Sequence, residues 1–421
     1  MKLKIPFSPP DMSEEEAKEV RDAILSGWIT TGPRTKKLET QISEYVGTAK
    51  TVCLSSATAS MEMVLHLLDI QPEDEVIVPA YTYTATASVT QHVGCQLVMV
   101  DSQKHNVEMD YEQLEQAITE RTKVIMPVDI AGIVADYDRV YEIVERKKSL
   151  FKPANALQAK IGRIVVTADC AHSFGAVRKG KMAGAIADFS AFSFHAVKNF
   201  TTAEGGALTW KLPFGNEIVP TDVDYMPIVP KKEDETWNEM LYRISQLFSL
   251  HGQNKDALAK TKVGMWEYDI IGPWYKCNMT DIMASLGLVQ MRRYPKMLDR
   301  RQEIVARYNA ALDGLNVVIL NHKDAEHCSS HHLYMVRLPG KSREEVNRVM
   351  EQMAERGIAT NVHFKPLPMM TAYKALGFNI VDYPNAYHLF ENEITLPLYT
   401  RLTDEEVDYV ITNFVDIIKN L

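Results

Sequence analysis

The sequence holds little from which a covalent or metal framework could be built. Its five cysteines (Cys53, Cys95, Cys170, Cys277 and Cys328) are odd in number, widely spaced and free of any CxxC pair. That pattern argues against a disulfide scaffold or a zinc ribbon. No apolar run approaches the roughly 18 residues that span a bilayer. The opening Met1–Pro6 segment has no apolar stretch of the kind a signal peptide carries. Positive charge is not in excess either. The net charge is −9, whereas nucleic acids and anionic membranes are bound by basic surfaces. A local basic pocket for a phosphorylated small molecule stays compatible with that balance. The expectation is a cytoplasmic, reduced protein with neither a nucleic-acid nor a membrane partner.

What the chain has is length and alternation. Its 421 residues exceed one average domain, and 46% hydrophobic against 24% charged residues is enough for a sizeable core. Ser13 and Glu16 form a capping-box pattern ahead of the amphipathic run 17–25, and a second helical pattern spans 35–45. Short Val- and Ile-rich runs then recur at 51–54, 75–78, 96–100, 123–128, 163–167 and 188–192. Helical patterns lie between most of them, as at 59–68, 111–118 and 136–147. Strands alternating with helices predict an α/β fold, a mainly parallel sheet covered on both faces. Residues 151–160 show no period and read as a loop. Residues 211–237, with Pro213, Pro220, Pro227 and Pro230, read as a surface excursion. Beyond them, 280–309 predicts one or two helices meeting near Pro295. Strands at 317–320, 332–338 and 359–364 and helices at 343–356 and 404–421 complete a smaller α+β unit. This divides the chain into an N-terminal arm (1–30), a large domain (31–275) and a C-terminal small domain with its connecting helix (276–421).

The chemistry concentrates at strand ends. Lys198 follows the strand-like run 189–194 and precedes a polar turn ending in Gly205 and Gly206. Asp169 closes another apolar run, within Asp169-Cys-Ala-His172. A desolvated lysine attacks an aldehyde, and a buried carboxylate keeps a pyridine nitrogen protonated. Those are the two groups that pyridoxal phosphate (PLP) chemistry needs. Taken alone, a lysine is most often solvated, and Asp169 fits a helix N-cap about as well. The pairing favours the catalytic reading. His172 could touch the cofactor's phenolic oxygen. Ser55–Ser60 joins a strand to a helix with small residues, a phosphate cradle to which Thr58 adds a hydroxyl, although Ser and Thr at N-caps are routine. Tyr83 follows the next strand and is a candidate to stack on a planar ring, or else a core or interface tyrosine. His322, His327, His331, His332 and Cys328 match no standard zinc spacing, so no metal is expected.

Together these motifs, with Ser26–Pro33, Tyr275–Ile282, Gly357–Leu367 and Ile394–Tyr399, resemble the DegT/DnrJ/EryC1/StrS sugar aminotransferases over nearly the whole chain. The wording of 55–59 and 275–281 is most similar to the branch that aminates UDP-4-keto-arabinose. The resemblance implies a PLP-dependent transferase of fold type I, aspartate aminotransferase-like, with a seven-stranded sheet, working as a homodimer. It implies that Lys198 is the Schiff-base lysine, Asp169 the pyridine-nitrogen partner and His172 the neighbour of the phenolic oxygen. Ala57, Thr58 and Ser193 correspond to phosphate contacts, Tyr83 to the stacking aromatic, and Asn278 to an asparagine reaching the partner subunit's site. Thr30, His195 and His363 correspond to positions that approach the sugar. The implied reaction converts a nucleotide-linked keto sugar to the amino sugar, with L-glutamate as donor. Family members that act as dehydratases carry histidine at the lysine position, so Lys198 favours amine transfer. Another PLP reaction on the same scaffold and a non-catalytic regulatory homologue are the alternatives, separable by whether glutamate yields 2-oxoglutarate.

Overall fold

The computed structural model describes residues 3–223, 225–226, 228–254 and 267–421. Met1, Lys2 and Pro227 therefore lie outside the described residues. Helices α1 (Glu14–Leu25) and α2 (Pro33–Val46) lead into β1 (Thr51–Leu54) and α3 (Ala57–Leu67). The chain then alternates through β2 (Glu75–Pro79), α4 (Thr84–Val93), β3 (Gln96–Val100), α5 (Tyr111–Ala117) and β4 (Thr122–Ile125). It continues through α6 (Tyr137–Arg146), α7 (Ala156–Ile161) and β5 (Val165–Asp169). After the short strands β6 (Val177–Arg178) and β7 (Lys181–Met182) come β8 (Phe189–Ser193), β9 (Gly206–Trp210) and α8 (Trp237–Ser249).

Seven strands form one sheet in the order β1-β9-β8-β5-β4-β2-β3. Only β9 runs against its neighbours, pairing antiparallel with both β1 and β8. Side chains alternate across the sheet, so each strand feeds two cores. Val76 and Val78 join one apolar cluster with Val124, Val165 and Leu208, while Ile77 joins the other with Ile125, Val166 and Phe192. The parallel strands β2, β5 and β8 all end at one edge of the sheet, where open α/β folds bind their ligands.

Helix α9 (Asp281–Leu312) leaves this layer and reaches a second, smaller core. There β10 (Val318–Ile319), β12 (Tyr334–Arg337) and β13 (Glu393–Leu396) form an antiparallel sheet, while β11 (His327–Cys328) pairs with β6. Helices α10 (Arg343–Glu355) and α13 (Asp404–Lys419) cover it, and α11 (Thr371–Ala375) and α12 (Pro384–Glu391) lie in the connection. Among the described residues no helix is long and apolar enough to cross a membrane.

Three sequence expectations need correction. Residues 151–160 contain the start of α7, whose N-cap Asn155 accepts from Gln158 N–H. Among its described residues the segment 211–237 shows no regular element before α8, yet Leu212, Phe214, Tyr225 and Val229 are buried in the first core. It is a packed excursion, tied by the Tyr225 hydroxyl to the Leu67 carbonyl. Of the one or two helices expected over 280–309 there is one, α9, which starts at Asp281 after the Thr280 cap and runs through Pro295. Residues 359–364 are not a strand: only Asn361 pairs, with Thr395.

Candidate active site

A cavity of about 390 Å³ opens at the edge where β2, β5 and β8 end. Ala57, Thr58, Tyr83, Asp169, His172, Ser193, His195, Lys198 and His363 all line it, although they come from segments up to 306 positions apart. A larger, more open cleft of about 620 Å³ against α2 and α8 contains none of the expected residues.

Lys198 sits in the turn after β8, where its N–H bonds the His195 carbonyl at 2.9 Å. Burial lowers its pKa to about 8, against the opposing pull of Asp169. A desolvated amine of this kind still carries its charge for most of the time near neutrality, but it gives up the proton far more readily than an exposed lysine and is then nucleophilic. Asp169, at the last position of β5, is 4% exposed. Its Oδ2 accepts from the Thr86 hydroxyl at 2.7 Å and its Oδ1 from the Ala171 N–H at 3.1 Å. Burial raises its pKa, and Thr86, Ala171 and Lys198 act in the other direction. The His172 Nδ1 accepts from the Ala131 N–H at 3.2 Å, which leaves the proton on Nε2. Burial and the Lys198 charge hold this ring neutral.

The first turn of α3 forms the floor. Ser56 caps it by accepting from Ala59 N–H at 3.0 Å, and Ala57 and Thr58 face the cavity. Helix N-termini carry free N–H groups and partial positive charge. Strand β9 presses against this turn. A Cβ at Gly206 would lie 2.3 Å from the Ser56 carbonyl carbon and 2.5 Å from the Ala57 nitrogen. Only glycine allows the strand and the turn so close.

Tyr83, at the N-cap of α4, is 62% exposed at the cavity mouth. His195 is also exposed there, 3.4 Å from the Glu204 carboxylate. His363 closes the opposite wall, its Nδ1 2.9 Å from the Thr395 hydroxyl. Thr30 and Asn278 do not reach the cavity. Thr30 is exposed, with its carbonyl bound to Asp281 N–H at 3.0 Å. Asn278 bridges Leu54 and donates to the Thr31 hydroxyl at 2.5 Å.

Three residues at the site were given no site role by the sequence reading. Phe364 stacks on His172 at 5.9 Å between ring centres and lies 6.2 Å from the Tyr83 ring. His332, within the histidine-rich stretch, packs 4.4 Å from His172 and bonds Asn199 at 2.9 Å. Thr86 carried a local signal, as the second helical threonine after Tyr83. Phe364 lies in the Gly357–Leu367 segment that carries the resemblance and His332 in the histidine-rich stretch, but nothing local marks either as a neighbour of His172, because their partners are far away in the chain.

The donor set fits pyridoxal phosphate. A partly desolvated amine, a buried carboxylate held by two donors, and a helix N-terminus fixed by the Gly206 contact surround one cavity. Among the described residues the Lys198 Nζ has no hydrogen-bond partner, so the amine is free to engage an aldehyde.

A family model described as the DegT/DnrJ/EryC1/StrS aminotransferase family matches residues 10–415. The chain is 55% identical to Streptococcus pneumoniae Spr1654, described as a sugar aminotransferase and solved in its PMP form, covering 99% of both chains with a TM-score of 0.90. A PLP form of that protein matches at 53% identity with the same TM-score, again over 99% of both chains. The spore coat polysaccharide biosynthesis protein SpsC of Bacillus subtilis is 33% identical over 99% of this chain and 97% of its own. Helicobacter pylori PseC, at 24% identity, shares the fold with a TM-score of 0.83 over the whole of both chains.

Proposed function

The chain belongs to the DegT/DnrJ/EryC1/StrS aminotransferase family, and we propose that it converts a nucleotide-linked keto sugar to the amino sugar, with L-glutamate as donor. It is a PLP-dependent aminotransferase of fold type I. The observation that carries the finer reading is the meeting of Lys198, Asp169 and the α3 N-terminus in one cavity whose far wall is His363. Such a site has an anchor for the cofactor phosphate and polar groups left over for a second, hydroxyl-rich substrate.

Pyridoxal phosphate, when bound, supplies an electron sink conjugated to the reacting carbon. The chain's part is binding and proton handling. Ala57, Thr58 and Ser193 would hold the phosphate. Asp169 would accept a hydrogen bond from the pyridine N–H, and the Nε2–H of His172 would donate to the phenolic oxygen. Lys198 would carry the aldehyde carbon and then, as a free amine, take the donor's α-proton. Its lowered pKa suits that role near neutral pH. Tyr83 would cover the ring, and Thr30, His195 and His363 would approach the sugar.

Asn278 and Thr30, which stay outside their own chain's cavity, suit a homodimer in which each reaches the partner's site. Residues 31–275 would form the cofactor domain and 276–421 the domain that closes over it. The relationship to SpsC fits cell-surface polysaccharide synthesis in the cytoplasm, and the 275–281 segment fits a UDP-linked keto-arabinose or a related sugar.

The test is a pair of half-reactions. Holoenzyme with L-glutamate should release 2-oxoglutarate, and the amine-loaded enzyme should then aminate one of a panel of UDP-, dTDP- and GDP-linked keto sugars. Absence of 2-oxoglutarate would sink the donor assignment, and failure across the whole panel the acceptor assignment.

A further inference from the structure

Behind His363 lies a polar chain that none of the roles above uses. Thr395 and Glu393 stand two apart on β13, so both side chains leave the same face of the strand. Both are fully buried. The Thr395 hydroxyl contacts Glu393 Oε1 on one side and lies 2.9 Å from His363 Nδ1 on the other. Glu393 Oε2 accepts from the His363 N–H at 2.9 Å, and the Tyr81 hydroxyl donates to the His363 carbonyl at 2.5 Å. Thr395 is pinned in turn by two backbone bonds to Asn361, at 2.8 and 3.1 Å. The far ring nitrogen, Nε2, has no partner among the described residues, and the ring lines the cavity.

A hydroxyl between an acid and an imidazole transmits the acid's protonation state. If Glu393 is ionised it only accepts, so the Thr395 O–H points to it and the oxygen accepts from Nδ1–H. His363 then presents a bare Nε2 to the cavity. If Glu393 is protonated its O–H donates to Thr395, whose own O–H turns to Nδ1. The ring proton then sits on Nε2. One proton enters at Glu393, and the ring stays neutral in both states.

We infer that Glu393, acting through Thr395, is a positioning residue that selects whether His363 offers the substrate an acceptor or a donor. The surroundings permit the exchange. The Arg343 guanidinium donates to the Glu393 backbone carbonyl at 2.8 Å and, with Tyr81, is the charged or titratable neighbour of this carboxyl. Burial raises its pKa to about 8. Burial and Lys198 lower His363 to about 3, so its imidazole stays uncharged, with His172 and His332 as its other titratable neighbours. Near neutrality, His363 is therefore a donor.

This rests on the reading that His363 faces the sugar, and the test separates the two ideas. In holoenzyme labelled with 15N-histidine, the His363 resonances, assigned by their loss in H363Q, should pass from the Nε2–H to the Nδ1–H tautomer with a midpoint near pH 8. E393Q, whose amide oxygen takes the His363 N–H and whose NH2 therefore faces Thr395 as a donor, should hold Nε2–H throughout. T395V should uncouple the ring from pH, and T395S should restore the coupling. A tautomer that stays constant in the wild type, or that still switches in E393Q, overturns the proposal. In kinetics, the E393Q-to-wild-type ratio of kcat/KM for the sugar half-reaction should rise about tenfold from about pH 7 to about pH 9, as one hydrogen bond is lost only in the wild type. The same ratio for glutamate should stay constant. A resonance that follows Glu393 while the sugar ratio stays flat upholds the tautomer control and removes His363 from the sugar site.

Discussion

Two buried acids stand on opposite sides of one cavity, and their surroundings differ. Asp169 ends a strand of the large sheet, receives a hydroxyl and a backbone N–H, and faces the Lys198 amine. Glu393 begins a strand of the small sheet and receives a hydroxyl and a backbone N–H as well, but its guanidinium neighbour binds backbone carbonyls instead of the carboxylate. Burial pushes both acids upward. What separates them is the cation: a carboxylate that must stay charged has an amine in front of it, while one that exchanges protons near neutrality does not.

The largest break in that comparison is K198A. It removes the amine and should lower transamination by about 10⁴-fold or more, with the thermal midpoint little changed. Turnover within tenfold of wild type would refute its role. D169N keeps the shape but cannot balance a pyridinium charge, so the glutamate half-reaction should slow by about 10²- to 10⁴-fold in stopped-flow absorbance. G206A leaves both acids alone and pushes on the α3 turn. With about 1–3 kcal/mol of overpacking, PLP affinity should fall roughly tenfold or more by equilibrium titration of apoenzyme. T86V removes one of the two donors to Asp169 and should push the pKa of that acid further up, so the glutamate half-reaction should lose rate on the acid side of its pH profile while K198A-like loss of turnover is not seen.

The same buried acid also sets a pH dependence of stability. The folded Glu393 carboxyl keeps its proton up to about pH 8, whereas the unfolded one releases it near 4.5. The folded state therefore binds the extra proton between these values, and stability declines as pH rises through that window. E393Q should gain stability relative to wild type over the same range, as read by chemical denaturation at several pH values.

The sequence revealed the Asp169 side of this comparison and almost nothing of the Glu393 side. Strand β1 was legible to the residue because a run buried on both faces is a continuous apolar block, and β3, half-exposed at the sheet edge, because its Val- and Leu-rich block is bounded by polar residues. Lys198 and Asp169 were legible because each closes such a block. Helix α7 was not, since six residues with two buried positions show no period. The 211–237 segment advertised its prolines, while its buried Leu212, Phe214, Tyr225 and Val229 have no regular spacing. The 359–364 run reads as a strand, but its pairing is confined to Asn361. Glu393 and His363 are 30 positions apart, and only the register of β13 against the Asn361 bridge brings them together. No local pattern encodes that.

Helix α9 joins the two sides. Its first half packs into the large core through Ala284, Leu288, Tyr294 and Met297, and its second half into the small core through Ile304, Val305, Tyr308 and Leu312. Pro295 falls near the changeover, where a missing N–H removes one rung of the helix ladder. The remaining 17 residues to Leu312 form a rigid arm about 25 Å long, so a flexure of about 5° at that rung sweeps its tip by about 2 Å. Ile394 and Leu396, which flank Thr395, belong to the same buried core as this arm. A few degrees at one proline therefore amount, at the wall carrying His363, to the difference between a hydrogen bond made and one missed.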